Sequence, residues 1–223
     1  MICFEDEKVN LGRFKMRIKQ YTKDCALRIK NFMWDCSYDH MIFKNFELKN
    51  QPIKLQKIIE VRFYLPEVNQ TLICCDGASR GNSRAACFGF VCRGEKGEFI
   101  HAESRGLGIP TNFIAEIMAI IGAVEWALEN NRFDLFIQSD SNAAITAYTS
   151  GKLPWIIQAR WYRIKEIFWR TQFVHVMRET NLIADALSKK GTGLSRGVCQ
   201  KYTTRPGFIY SMEMPDKIYY RLR

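Results

Sequence analysis

The chain has 223 residues, 47% of them hydrophobic and 25% charged, the profile of an ordinary globular protein with a core to bury. No apolar run approaches the roughly 18 residues of a membrane span, and Met1–Asn10 is too acidic and too poor in apolar residues for a signal peptide. The net charge of +10 lies in the flanks: residues 1–66 hold 13 Lys/Arg against 8 Asp/Glu, residues 67–190 hold 14 against 13, and residues 191–223 hold 6 against 2. Basic flanks suit a polyanion such as nucleic acid and equally suit a solvated surface.

In chain order, Leu11, Phe14, Ile18, Tyr21, Cys25, Ile29 and Phe32 recur at helical spacing, with Lys15, Arg17, Lys19, Lys23 and Lys30 on other faces. This predicts an amphipathic basic helix from residue 11 to about 34, serving either nucleic acid or packing within the chain. Residues 35–68 show no sustained period and read as a linker that becomes extended at "IIEVRFYLP". Residues 1–68 are therefore expected to form a basic N-terminal extension.

After Pro66 the texture changes. "TLICC" (71–75), "CFGFVC" (87–92) and "EFIHAES" (98–104) read as three strands of an antiparallel meander, with Gly94 and Gly97 in a turn. A helix over 111–130 follows, with Thr111 or Asn112 able to cap it. Next come a strand at 135–140, a small-residue helix over 141–151 and a longer helix from Trp155 to about Arg170. A strand, "QFVHVMR", and a helix opening at Asn181 complete the series. The order βββ-α-β-α-α-β-α predicts an α/β domain with a mixed sheet over 69–190. Residues 191–223, without clear period, read as a basic, partly ordered tail.

Four acids occupy comparable places. Asp76 and Asp140 end strands, Glu116 lies early in the long helix, and Asp185 sits one turn into the last one. Each has an ordinary alternative as a turn, a cap or a solvated charge. Gathered beyond neighbouring strand ends, they would repel one another unless a divalent cation held them, and carboxylate oxygens are the ligands Mg²⁺ prefers. Two such ions can activate water and stabilise the leaving oxygen of a phosphodiester. Gly77, Ala78 and Ser79 behind Asp76 are expected to leave room for a phosphate backbone.

"DGASRGN" at 76, "TNFIAE" at 111, "SDSNAAI" at 139 and "HVMRETNLIADALSKK" at 175 resemble the ordered motifs of the ribonuclease H domain. The branch they are most similar to is found at the ends of plant non-LTR retrotransposon polyproteins and in host copies derived from them. The resemblance implies the ribonuclease H-like fold, with a five-stranded mixed sheet whose first three strands are antiparallel. It also implies an endonuclease that uses two Mg²⁺ ions, or Mn²⁺, to cut the RNA strand of an RNA–DNA hybrid, leaving 5′-phosphate and 3′-hydroxyl ends. Asp76 would bridge both ions, Asp185 would complete the one on the water side, and Glu116 and Asp140 would hold the one facing the departing 3′ oxygen. Ser79, Asn82, Asn112, Asn142 and Arg178 would contact the substrate, the asparagines across the minor groove, where shape and the 2′-hydroxyl are read.

The sequence departs from that pattern at Ser83, Arg84 and Cys87, where the branch has Pro-Gly and a further Gly. This keeps open a second reading, a retroelement remnant that binds nucleic acid with weak or no catalysis. A third, an exonuclease or integrase-like enzyme of the same fold, fits the acids but not the spacing of "TNFIAE" and "NLIAD". His175 is expected to be a structural strand residue, and the Arg160, Arg163 and Arg170 face of the helix after Pro154 is either a nucleic-acid grip or a solvated surface. Eight cysteines without a CxxC pair read as reduced thiols of an intracellular protein, and Cys25, Cys36 and His40 match no zinc-ligand spacing; a monomer is expected.

Overall fold

A computed structural model describes residues 10–26, 33, 36–49, 51–53, 57–79, 85–209 and 211–222. Contacts divide the chain into two units, Met1–Ile58 with Leu222–Arg223, and Ile59–Arg221. In the first, α1 (Leu11–Ala26) and α2 (Ser37–Phe46) are both helical. The Cys36 thiol accepts the Asp39 N–H at the start of α2. Lys19 and Lys23 of α1 pair with Glu47 just beyond it, at 3.4 and 2.6 Å. The expected helix does not run to residue 34, because Met33 forms a β-bridge with Ile53. The expected linker contains α2, whose ten residues are too few to show a sustained period.

The second unit is built on a six-stranded mixed sheet. Its strands are β2 (Thr71–Ser79), β3 (Ala86–Arg93), β4 (Phe99–Gly108), β5 (Asp134–Ser139), β6 (Arg170–His175) and β7 (Cys199–Tyr202). Their order is β6-β5-β2-β3-β4-β7. β2, β3 and β4 run antiparallel, and β5 and β6 join parallel on the other side of β2. The helices α3 (Asn112–Glu129), α4 (Asn142–Ser150) and α5 (Trp155–Ile164) cover one face, packing on Ile73, Cys75, Phe88 and Phe90. The other face takes α6 (Leu182–Gly191), whose Ile183, Ala184 and Leu187 meet Leu72, Cys74 and Val91. With both faces covered, β2 reads as a continuous apolar run rather than an alternating one.

Several expectations are corrected here. β2 does not end at Asp76 but continues to Ser79, with Asp76 opposite Gly89. The helix after Pro154 stops at Ile164 and passes through a 3-10 turn (Lys165–Ile167) before β6. Of the three arginines expected on its face, Arg170 instead opens β6, and two are occupied within the fold: Arg160 grips Glu125 at 2.8 and 2.5 Å, and Arg170 holds Asp134 and Glu67 at 2.9 and 2.7 Å.

The sheet also has six strands rather than five, because the expected tail supplies β7, which pairs antiparallel with β4. A short two-stranded sheet joins β1 (Ile58–Arg62) to β8 (Ile218–Leu222). Between β7 and β8, Ile209 enters the α6-side core and Glu213 meets Arg93 in a fully buried ion pair. Arg93 also donates to the Glu213 carbonyl at 3.0 Å and lies 4.8 Å over the Phe63 ring. A basic composition concealed this segment's apolar anchors, which are too widely spaced to show a period.

Candidate active site

Asp76 enters the site from the middle of β2, on the α6 side of the sheet. Two glycines bring the neighbouring helices to it. A Cβ on Gly77 would lie 2.3 Å from the Glu116 nitrogen, so the start of α3 rests directly on β2. The Gly77 N–H then donates to Glu116 Oε2 at 3.0 Å. The space a side chain at Gly77 would need is thus filled by the α3 backbone, while Gly77, Ala78 and Ser79 all line the cleft beside Asp76. On the other face, a Cβ on Gly89 would lie 2.5 Å from the Ser188 nitrogen. Its absence lets α6 come down until Ser188 Oγ donates to Asp76 Oδ2.

Asp140 follows β5 directly, and its backbone carbonyl accepts from His175 Nε2 at 3.2 Å. Asn181 Nδ2 donates to the Cys75 carbonyl at 2.9 Å and approaches Asp140 Oδ1 at 3.4 Å, tying the start of α6 to two strands. Carboxylate oxygens of Asp76, Glu116 and Asp140 all lie within 4.8 Å of one another, a set able to hold a metal ion. Asp185 stands beside this trio, paired with Arg178 and, at 2.6 Å, with Lys189 one turn further along α6.

These groups line a cleft of about 500 Å³ that includes Ser79, Asn112, Arg178 and Lys189 with all four acids. Asn112 is the first residue of α3, while Thr111 supplies the cap by accepting the Ile114 N–H at 3.4 Å. Asn142 begins α4 as an exposed residue and is not among those lining the cleft; Ser141 caps that helix. Asn82, Ser83 and Arg84 lie outside the described residues. Cys87 lies in β3, as expected, fully buried, with its sulfur in the space a side chain at Gly191 would need.

The electrostatics follow from this crowding. Burial pushes the Asp76 carboxyl up to about 7; the Ser188 hydroxyl opposes the rise, and Asp140 and Asp185 add to it. Burial likewise pushes Glu116 up to about 9, helped by Asp76 and Asp140 and opposed by the Gly77 N–H and Arg178. Without a cation the cluster keeps protons it would otherwise lose. The donor set, all hard oxygen, fits a divalent ion.

Sequence reasoning passed over Asn181, Ser188 and Lys189. Lys189 was legible as an i+4 partner of Asp185. Nothing local signals that Asn181 and Ser188 reach strands more than 100 residues earlier.

A family model described as reverse transcriptase-like matches residues 74–191. The chain belongs to that family. The reverse transcriptase-like region also resembles solved ribonucleases H. RNase H1 from the halophilic archaeon Halobacterium salinarum is 29% identical, with a TM-score of 0.50, covering 56% of this chain and 99% of that one. LC11-RNase H1, in complex with an RNA/DNA hybrid, is 28% identical with a TM-score of 0.50, covering 55% and 96%. The N-terminal RNase H domain of a Mycobacterium tuberculosis protein, at 22% identity and a TM-score of 0.51 over 56% and 94%, shares the fold. No curated protein sequence matches the chain. The reverse transcriptase-like region is thus a ribonuclease H domain by sequence family and by fold. Among the described residues, no helix is long and apolar enough to cross a membrane.

Proposed function

We propose that the protein is a divalent-metal-dependent ribonuclease H that hydrolyses the RNA strand of RNA–DNA hybrids. One observation carries this reading: three carboxylates from β2, α3 and the end of β5 converge within 4.8 Å inside a ribonuclease H fold. Two of them are pushed well above the usual carboxylate range, the state expected of a cation site without its cation. The hybrid held by LC11-RNase H1 and the plant non-LTR-type motifs support the choice of substrate.

Asp76, Glu116 and Asp140 would hold Mg²⁺ or Mn²⁺, and Asp76 with Asp185 a second ion. Bound divalent ions supply Lewis acidity and lower the pKa of water. The chain's own residues do the positioning. Gly77 and Ser188 orient Glu116 and Asp76 through hydrogen bonds. Arg178 and Lys189 neutralise Asp185 until substrate arrives and then meet the scissile phosphate. Ser79 at the cleft contacts the substrate, and Asn112 at the cleft, with Asn82 and Asn142, reads the minor groove and its 2′-hydroxyls.

The test offers purified protein a labelled RNA–DNA hybrid, with single strands and duplexes as controls, in Mg²⁺ and in Mn²⁺. Cleavage of hybrid RNA to 5′-phosphate products is expected. Binding of the hybrid without cleavage in either metal would overturn catalysis in favour of a binding-only domain.

A further inference from the structure

α6 carries Asp185 and the Ser188 that orients Asp76, so its placement decides the geometry of half the cleft. Asn181 ties its start to the sheet but leaves its first N–H groups uncapped. Asn181, at the N-cap position, makes no capping bond with its side chain, which instead reaches the Cys75 carbonyl. The vacant cap is filled from 30 residues downstream, where Glu213 Oε1 accepts the Ile183 N–H at 2.9 Å. The other oxygen of the same carboxylate pairs with Arg93, at the end of β3, with both side chains fully buried. A helix start favours a negative charge and leaves its first N–H groups unpaired, so a buried carboxylate there meets both demands. The family match ends at residue 191, so Glu213 stands outside the region shared with it.

We propose that Glu213 is a positioning residue of the active site: by joining Arg93 of the sheet to the first turn of α6, it sets where Asp185 and Ser188 stand relative to Asp76. This rests on the metal-dependent nuclease reading for its consequence in turnover, but its first consequence is for metal binding. Residues that orient ligands without touching the metal are worth about 10- to 100-fold in affinity or activity.

The experiment uses the full chain with Arg93→Met/Glu213→Leu, which removes the clamp without stranding a buried charge. Mn²⁺ binding is followed by electron paramagnetic resonance, the Ile183 amide by hydrogen exchange, and hybrid cleavage by steady-state kinetics. The double variant is expected to bind Mn²⁺ about tenfold or more weakly, to exchange the Ile183 amide faster, and to lose kcat about 10- to 100-fold with little change in KM. Glu213→Gln, which keeps an oxygen for Ile183 but not the charge for Arg93, should fall between wild type and the double variant in all three. A folded double variant with wild-type Mn²⁺ affinity and amide exchange overturns the proposal. Should the double variant not fold, unchanged values in Glu213→Gln overturn it equally. Wild-type protein that binds Mn²⁺ but leaves the hybrid uncut overturns the nuclease reading alone, and wild-type protein that binds no Mn²⁺ overturns both.

Discussion

Asp76 stands directly across the β2–β3 ladder from Gly89, and the side chain missing from Gly89 is what lets Ser188 reach the Asp76 carboxyl. Position 89 therefore governs the site without touching substrate. In Gly89→Ala the new methyl would meet the Ser188 nitrogen at 2.5 Å and Leu187 Cβ at 2.6 Å, both held within α6. A stability loss of about 1–3 kcal/mol, typical of overpacking, is expected in urea denaturation, together with weakened Mn²⁺ binding. Wild-type values for both would show that α6 can retreat freely.

Stability of the metal-free protein should fall as pH rises. A carboxyl whose pKa is higher folded than unfolded favours the fold only while protonated. That contribution is complete below about pH 4 and is lost through about 7 for Asp76 and about 9 for Glu116. The slope is at most about 1.4 kcal/mol per pH unit for each proton held. Calorimetry in a chelator should show the melting temperature declining from about pH 6 to 9, and millimolar Mg²⁺ should flatten the decline by binding the ionised form. A pH-independent melting temperature in the chelator would contradict the crowded-carboxylate picture.

Asp76→Asn separates catalysis from stability. Turnover should drop by about 100-fold or more while hybrid affinity in a filter-binding assay stays near wild type. The melting temperature in the chelator should rise at about pH 8, because one of three crowded acids is gone. A lower melting temperature would mean that the Ser188 bond outweighs the repulsion.

Ending the chain at Gly191, where the family match stops, should fail as a folding unit. The cut removes β7, Ile209 and Glu213, leaving Arg93 buried without its partner. Breaking a buried pair from one side costs about 3–5 kcal/mol, a large share of a domain's net stability. Expression of residues 59–191 beside 59–222, compared by circular dichroism, checks this, and a cooperative unfolding transition for the shorter piece would refute it.

The meander, α3 with Thr111 among its two cap candidates, and the two later strands were legible because strand runs and helical periods are local signals; that those strands pair parallel beside β2 was not. The four acids stood out as well, each beside an apolar run or within a helical period, though only Asp140 follows a strand end and only Asp185 lies in a first helical turn. What stayed hidden depends on distance along the chain. Asp76 looked like a terminus because Gly77, Ala78 and Ser79 have weak strand preference, yet β3 holds them in register. Nothing in the basic tail marks Glu213 as a core residue, because its buried partners Arg93 and Ile183 lie 120 and 30 residues away.

The bond between Ser188 and Asp76 closes a span of 112 residues. Contacts so distant in sequence form late in folding, after the loops between them have been drawn in. Asp76 and Asp140 meet once β2 and β5 pair, but the full crowding of like charges is felt only when α3 brings in Glu116 and α6 brings in Asp185. Its cost then falls on the lifetime of the finished fold rather than on the speed of reaching it. A cation that relieves the crowding would act as a brake on unfolding, so the protein should persist longest in the state that is ready to cut.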